Sequence, residues 1–398
     1  MIDRDVKLLT AEEVASVRAP IETALTLPNR AYVSADFYAA EVENIYMKRW
    51  VAACFECDLP NDGDAYPFFL CGVPLVALNT SGAIRVFHNV CPYDGCPFLL
   101  EPSTGLRALV SPYHGWTYDF DGRLVGAPYW DGNKNANLKA IRRHAVDLAP
   151  VECATFMGTV FVKLGGNAQS LDAYVEPIKR RFSEYDLDCV VVGSNASGAP
   201  LITPCERKTN WKTFFENSAI NILHENFVHD LYAVSPEIPR IKSDGVPAFT
   251  ALRDRELFAL VFDQEDVQNT YPDLGLPHIG RNGAPPTTEC FGTHYPNFYF
   301  SFAPTHIEIA YALPDGPDHV SVRQTILYHK EVAKSASALK MRRLLSGAFD
   351  GASIEDGGIV EAVHAARRSP VFGQKFYSPF WDTLHYEFNK LIIEDLGC

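Results

Sequence analysis

The chain reads as an α+β protein in which a small all-β domain precedes a larger domain built on an antiparallel sheet flanked by helices. Three observations predict this. Short strand-like runs separated by Gly, Asp and Pro turns fill the stretch from about residue 41 to 165. Three consecutive runs at 295–302, 306–313 and 320–328 have strand character. Helical patterns at about 332–345, 356–367 and 380–396 then close the chain.

Taken in order, residues 1–40 form a helical arm with periodic pieces at 11–17 and 20–27. Within 41–165 the clearest strands are 67–71, 73–78 and 84–87, the last two flanking a turn that contains Ser81-Gly82. Gly165-Gly166-Asn167 marks the exit, so 166–398 forms the larger domain. There, 209–223 has helix character. Residues 280–286 read as a surface connection, with a lid over a pocket as the alternative. Ile307, Ile309, Tyr311 and Leu313 alternate with Glu308, Ala310 and Ala312, the period of a half-buried strand.

A length of 398 residues suits two or three domains, and a 47% hydrophobic content suits a sizeable core. The net charge of −14 leaves no basic field to draw in phosphates, which argues against nucleic-acid and anionic-membrane partners. There is no signal-peptide pattern and no apolar run approaching a membrane span. The ten Cys follow no repeating framework, so a reduced, cytoplasmic setting is expected. The 25 Phe and 18 Tyr suit either a pocket for a flat, apolar substrate or a large β-rich core. Phe214, Phe215, Phe291, Tyr295, Phe298 and Phe300 carry the same two readings, with plain core as the default.

One constellation has metal-ligand chemistry. His224-Glu225-Asn226-Phe227-Val228-His229 follows Asn210-Trp211-Lys212 and Glu216-Asn217. Two His five apart point roughly 140° apart on a regular helix, so they converge only if the helix ends, bulges or bends between them. Far downstream, Asp356 stands at an expected helix start, where a simple N-terminal cap is the default reading. Together, two His and one Asp make the ligand set of a facial triad, which leaves open positions on Fe(II).

At these residues the chain resembles the alpha subunits of Rieske-type non-haem iron oxygenases, the ring-hydroxylating and demethylating family. The likeness runs over nearly the whole length. It includes Leu27-Pro28, Trp50, Phe87-His88-Asn89-Val90-Cys91, the run from Pro112 to Asp119, and Asp121-Gly122-Arg123-Leu124. It continues through Asn210-Trp211-Lys212, the His pair, Pro296-Asn297 and Glu355-Asp356 with Glu361. The resemblance implies that His224, His229 and Asp356 bind mononuclear Fe(II). It further implies a Rieske-like β domain over 41–165, a helix-grip catalytic domain over 166–398, and an N-terminal arm, 1–40, packed on the latter.

Three departures from the family concern one process. A Rieske [2Fe–2S] cluster needs two thiolates on one iron and two imidazoles on the other. The corresponding frame here is Cys91-Pro92-Tyr93, seventeen residues, then Ser111-Pro112-Tyr113-His114. Cys91 and His114 remain, while Tyr93 replaces an imidazole and Ser111 puts a hard, basic donor in place of a soft thiolate. Asn221 stands where the family carries an acid that links the iron site to the cluster of a neighbouring subunit, and it has no carboxylate. The joint loss implies that the [2Fe–2S] cluster is absent. Zinc on Cys91, Asp94, Cys96 and His114 is the weaker alternative, because no standard spacing is met. The simpler expectation has Tyr93 and Ser111 filling the cluster space with ordinary hydrogen bonds.

The expected function is that of an oxygenase alpha-type subunit. Its Fe(II) would support O2-dependent hydroxylation, dihydroxylation or demethylation of a small organic substrate, an aromatic one being expected. Electrons would come from an intact alpha paralogue in a homo- or hetero-trimer or hexamer, with a reductase or ferredoxin acting through that partner. The alternative is a non-catalytic structural or regulatory subunit of such a complex. The missing cluster ligands and Asn221 favour this alternative, and the retained triad opposes it.

Overall fold

The structure is a computed structural model that describes residues 8–141, 144, 146–166, 168–218, 220–229, 241–242, 244–263, 274–371 and 373–398. The chain divides into two compact units, Arg49–Asn167 on one hand and Met1–Lys48 with Ala168–Cys398 on the other. No helix among the described residues is long and apolar enough to cross a membrane.

The Arg49–Asn167 unit carries strands β1 (Val51–Phe55), β2 (Ala65–Leu70), β3 (Val73–Thr80), β4 (Ala83–His88), β5 (Leu109–Val110), β6 (Thr117–Tyr118), β7 (Leu124–Gly126), β8 (Pro150–Phe156) and β9 (Thr159–Lys163). They form a six-stranded antiparallel sheet in the order β1-β9-β8-β4-β3-β2 and a small sheet β5-β6-β7. Ser81 and Gly82 both adopt positive φ, the two-residue turn whose twist matches a hairpin of right-twisted strands. Cys91, Phe98, Trp116, Tyr118 and Leu124 share one buried cluster between the two sheets. The unit starts at Arg49 because Val42–Tyr46 continues the Ala35–Glu41 helix of the other unit.

The larger unit is built on β10 (Val190–Val192), β11 (Ile202–Arg207), β12 (Thr250–Asp254), β13 (Leu257–Asp263), β14 (Thr288–His294), β15 (Phe298–Ala303), β16 (His306–Pro314) and β17 (Val320–His329). The order is β10-β17-β16-β15-β14-β13-β12, with β11 also on β17. Residues directly opposite one another in a sheet share a face. One face presents Phe300 and Phe302 to Phe182, and Phe302 also to Tyr185. On the other face, Tyr299 meets Phe214 edge to face, and the Gln324 amide donates to Asp350 at 2.8 Å. Both faces are therefore covered, and β16 is buried along its length except at Glu308. The half-buried reading of this strand fails for that reason.

The helices also differ from expectation. The 209–223 segment is helical only over Trp211–Ser218. The 20–27 piece is not a helix; it turns at Pro20–Thr23 and bridges Leu25 to Phe376. The segments expected at 332–345 and 356–367 resolve into a short turn, Lys330–Ala333, and one 28-residue helix, Leu339–Ala366. Asp356 thus sits inside a helix and caps nothing. Gly347, Gly351, Gly357 and Gly358 lower helix propensity there, and tertiary packing overrides them. The 280–286 loop is tied down, since Arg281 donates its amide to the Glu184 carbonyl and the Glu184 carboxylate accepts from Thr287 and Thr288.

The N-terminal segment packs on the last helix, Thr383–Asp395, through Tyr386 Oη to the Ala19 carbonyl and the Leu27 amide to Asn389. Deeper, Glu41 forms a fully buried ion pair with Lys212 and accepts from Trp211 Nε1 at 2.8 Å. Burial pushes the Glu41 carboxyl up and the Lys212 amine down, and their mutual attraction opposes both shifts.

Candidate metal centre

A single helical turn, Glu225–Val228, resolves the five-residue spacing of the two His. His224 precedes the turn in helical conformation, and His229 leaves it with extended backbone, φ −91° and ψ 121°. The helix ends between them, so the two rings converge, with centroids 5.6 Å apart. The long helix brings Asp356 to the same place. Its Oδ1 lies 3.4 Å from His224 Nε2 and 3.6 Å from His229 Nε2. One donor atom from each residue falls within 4.8 Å of the others, and among the described residues no other set of three or more His, Cys, Asp or Glu does so.

The donors fit a metal ion. Bonds of about 2.1 Å at angles of roughly 90–110° require donors about 3.0–3.4 Å apart, close to the two His–Asp separations. Asp356 Oδ1 is buried and has no hydrogen-bond partner, a costly state for a carboxylate oxygen unless something electropositive faces it. His229 Nδ1 lies 2.8 Å from Glu355 Oε2. With Nδ1–H donating there, Nε2 presents its lone pair to the centre, the arrangement by which outer carboxylates orient metal-binding imidazoles. Glu355 belongs to the motif around Asp356, but its type alone does not assign it this role. Its adjacency to Asp356 was the available signal.

Asn221 lies just ahead of His224 in the chain, and both ends of its amide are engaged. Nδ2 donates to Asp382 Oδ1 at 2.5 Å, and Oδ1 accepts from the Leu223 amide at 2.8 Å.

In the β unit, the two loops that carry Cys91 and Ser111 have the same shape. Cys91 N bonds Cys96 O and Gly95 N bonds Cys91 O, while Ser111 N bonds Trp116 O and Gly115 N bonds Ser111 O. Gly95 and Gly115 each have φ +72°, a conformation that suits glycine. The side chains between the loops converge on Asp94. Its Oδ2 accepts from Ser111 Oγ at 2.8 Å and pairs with His114 Nδ1 at 3.0 Å, and its Oδ1 accepts from the Cys96 amide at 3.0 Å. Burial works against the charge, yet these bonds together with the Cys91 thiol outweigh it and hold the carboxyl at about 2. Burial pushes the Cys91 thiol up.

Tyr93 differs from expectation. It is half exposed and stacks on Trp116, with ring centroids 4.4 Å apart and planes within 1°. A flat, amphipathic ring beside an indole gains more from stacking than from a buried hydrogen bond. The hydrogen-bonding role falls to Asp94, which sequence reasoning considered only as a zinc donor. Of the candidate pocket aromatics, Phe215, Tyr295, Phe298 and Phe300 are core residues. Phe215 stacks on Phe388 at 4.2 Å.

Comparison with known proteins agrees with this architecture. The ring hydroxylating alpha subunit (catalytic domain) family model matches residues 202–397, and the Rieske [2Fe-2S] domain model matches 49–141. The glycine betaine monooxygenase oxygenase subunit of Pseudomonas aeruginosa is 27% identical over 240 residues, covering 58% of this chain and 53% of that protein. The biphenyl 2,3-dioxygenase subunit alpha of Rhodococcus jostii is 26% identical over 225 residues, covering 55% and 46%. The chain thus spans about half the length of these curated relatives. A quaternary ammonium Rieske monooxygenase solved with gamma-butyrobetaine shares the fold, with a TM-score of 0.72 and 18% identity over 98% of this chain and 99% of that one. Two adjacent domain models, matched in order along one chain, place this protein in the Rieske non-haem iron oxygenase alpha-subunit family.

Proposed function

We propose that this chain is an oxygenase component holding mononuclear Fe(II) at His224, His229 and Asp356, that it carries no [2Fe–2S] cluster of its own, and that an intact alpha paralogue in a mixed ring supplies its electrons. The observation that carries the metal assignment is the buried, unpartnered Asp356 Oδ1 facing two imidazole nitrogens. Iron bound there would supply open positions for O2 activation beside the substrate. The chain's own residues set the stage. Glu355 fixes the orientation of His229, and the end of the 225–228 turn aims both rings inward.

The substrate class we favour is a small N-alkylated ammonium compound, in keeping with the glycine betaine relative and the quaternary ammonium fold neighbour. The reaction would hydroxylate a carbon bonded to nitrogen. That step consumes O2, two electrons and two protons, yields water, and gives an adduct that breaks to amine and aldehyde. The Asp94-centred network and the engaged Asn221 amide support a second reading, a non-catalytic partner subunit.

Anaerobically purified protein should contain about one iron per chain and no acid-labile sulfide. Labile sulfide in the ratio of a two-iron, two-sulfur centre would overturn the cluster-free reading. Co-expression with an intact paralogue and a reductase, followed by O2 uptake coupled to product, separates the two roles. Asp356→Ala in this subunit should lower coupled turnover of the mixed complex, and full activity would establish the non-catalytic role.

A further inference from the structure

We infer that Glu308 is the specificity-determining group for a positively charged nitrogen, because it stands on the sheet face covered by the two helical segments that bring the metal donors together and has no cation of its own chain to pair with. The inference deepens the proposed function and rests on it for the location of the substrate.

The placement follows from strand register and helical period. Glu308 pairs with Ser301 on one side and with Ile326 on the other, so the three share a face. Ile326 belongs to a buried cluster, with Tyr328 and Ala338, against which Leu345 and Phe349 of the Leu339–Ala366 helix pack. Phe349 and Asp356 are seven residues apart, two turns to within about 20°, so they lie on one stripe of that helix about 10 Å from each other. On the opposite flank, Tyr299 follows the same face of β15 and meets Phe214 at 5.1 Å. Phe214 belongs to the helix that leads to His224. Glu308 therefore lies under the span between the two elements that carry the candidate donors.

Its chemistry is unusual for that position. Among the described residues, no Lys, Arg or His lies within ion-pair distance of Glu308, and the Ser301 side chain is the one group that opposes the effect of burial on its carboxyl. The side chain keeps some accessible surface, yet protein surrounds it densely enough that burial pushes its carboxyl up to about 7. Ala310 and Ala312 follow on the same face of β16, so no bulky side chain of its own strand fills the space beside it. A desolvated carboxylate without a counter-charge is expensive. An alkylated ammonium relieves that cost, and its methyl groups suit Ile326 and the aromatic ring of Tyr299. A neutral aromatic substrate would leave the carboxylate uncompensated. Glu308 thus discriminates between the two substrate classes that the relatives represent.

The test uses full-length, iron-loaded protein under anaerobic conditions, so that binding is read without turnover. Calorimetric titrations compare choline with its neutral isostere 3,3-dimethyl-1-butanol, in which carbon replaces the nitrogen. The parent should bind choline at least about tenfold more tightly than the alcohol. Glu308→Gln should weaken choline by about 10- to 100-fold and leave the alcohol within about twofold. Ser301→Ala, a milder change, should weaken choline by a smaller factor in the same selective way. Equal binding of the two probes by the parent overturns the inference, as does iron-loaded parent that binds neither. An unchanged choline affinity in Glu308→Gln also overturns it, and if that variant does not fold, Ser301→Ala decides by the same criterion. Iron content on the same samples separates the two ideas. Protein that takes up no iron but still prefers choline would sink the oxygenase reading while supporting Glu308 as the cation subsite.

Discussion

Asp94→Asn tests whether a charge network holds together the two loops that carry Cys91 and Ser111. The Asp94 carboxyl is lowered from 3.8 to about 2, with burial opposing the change and hydrogen bonds from the Cys96 amide, Ser111, Cys91 and His114 outweighing it. By linkage, that depression corresponds to at most about 2.5 kcal/mol. The Asp94 side chain is almost inaccessible, but its partner His114 is 42% exposed, and solvent screens the pair. The loss on substitution should therefore be about 1–2 kcal/mol at neutral pH. The sign follows from the direction of the shift. A depressed carboxyl contributes stability above its unfolded value near 3.8 and loses it as the pH falls through about 2. Urea denaturation followed by intrinsic fluorescence should show the variant weaker at neutral pH, with the gap closing across that acid interval. An unchanged midpoint at neutral pH, or a gap that persists at the acid end, would refute the reasoning.

Other expectations follow from neighbouring features. Tyr93→His with Ser111→Cys should restore little labile sulfide while Asp94 still engages His114, and adding Asp94→Ala should raise the sulfide content on reconstitution. Glu355→Ala should weaken metal affinity about 10- to 100-fold in anaerobic chelator competition, because His229 loses the group that fixes its tautomer and orientation. Lys212→Met leaves Glu41 buried without its counter-charge and should cost about 3–5 kcal/mol in urea denaturation. Combining it with Glu41→Gln should recover much of that loss.

Much of the β unit was legible because its signals are local. The Ser81-Gly82 turn sets the β3–β4 hairpin, and short strand-like runs bounded by turns mark the strands around it. The candidate metal donors were legible only through motif order, since a five-residue His spacing is uninformative until the helix is known to end at Val228. The mid-helix position of Asp356 was hidden by glycines that imitate a break. Asp94 is legible in sequence only as a zinc donor, because Ser111 and His114 come from a second loop and contact between loops has no local signature. The half-buried reading of the strand that carries Glu308 fails because alternation cannot tell water from a covering helix. The two alanines that follow Glu308 on that face were the available hint, since a solvated strand face is ordinarily richer in polar residues.

The Leu339–Ala366 helix spans about 42 Å, and four interior glycines make it intrinsically reluctant by about 4 kcal/mol relative to alanine. Its middle persists through what it touches. An ion shared by Asp356 and the two imidazoles would clamp that weak midsection to the short turn at 225–228. Occupancy of the centre and amide-exchange protection on either side of Asp356 are thus linked quantities, and hydrogen exchange along one helix becomes a gauge of metal loading that needs no substrate.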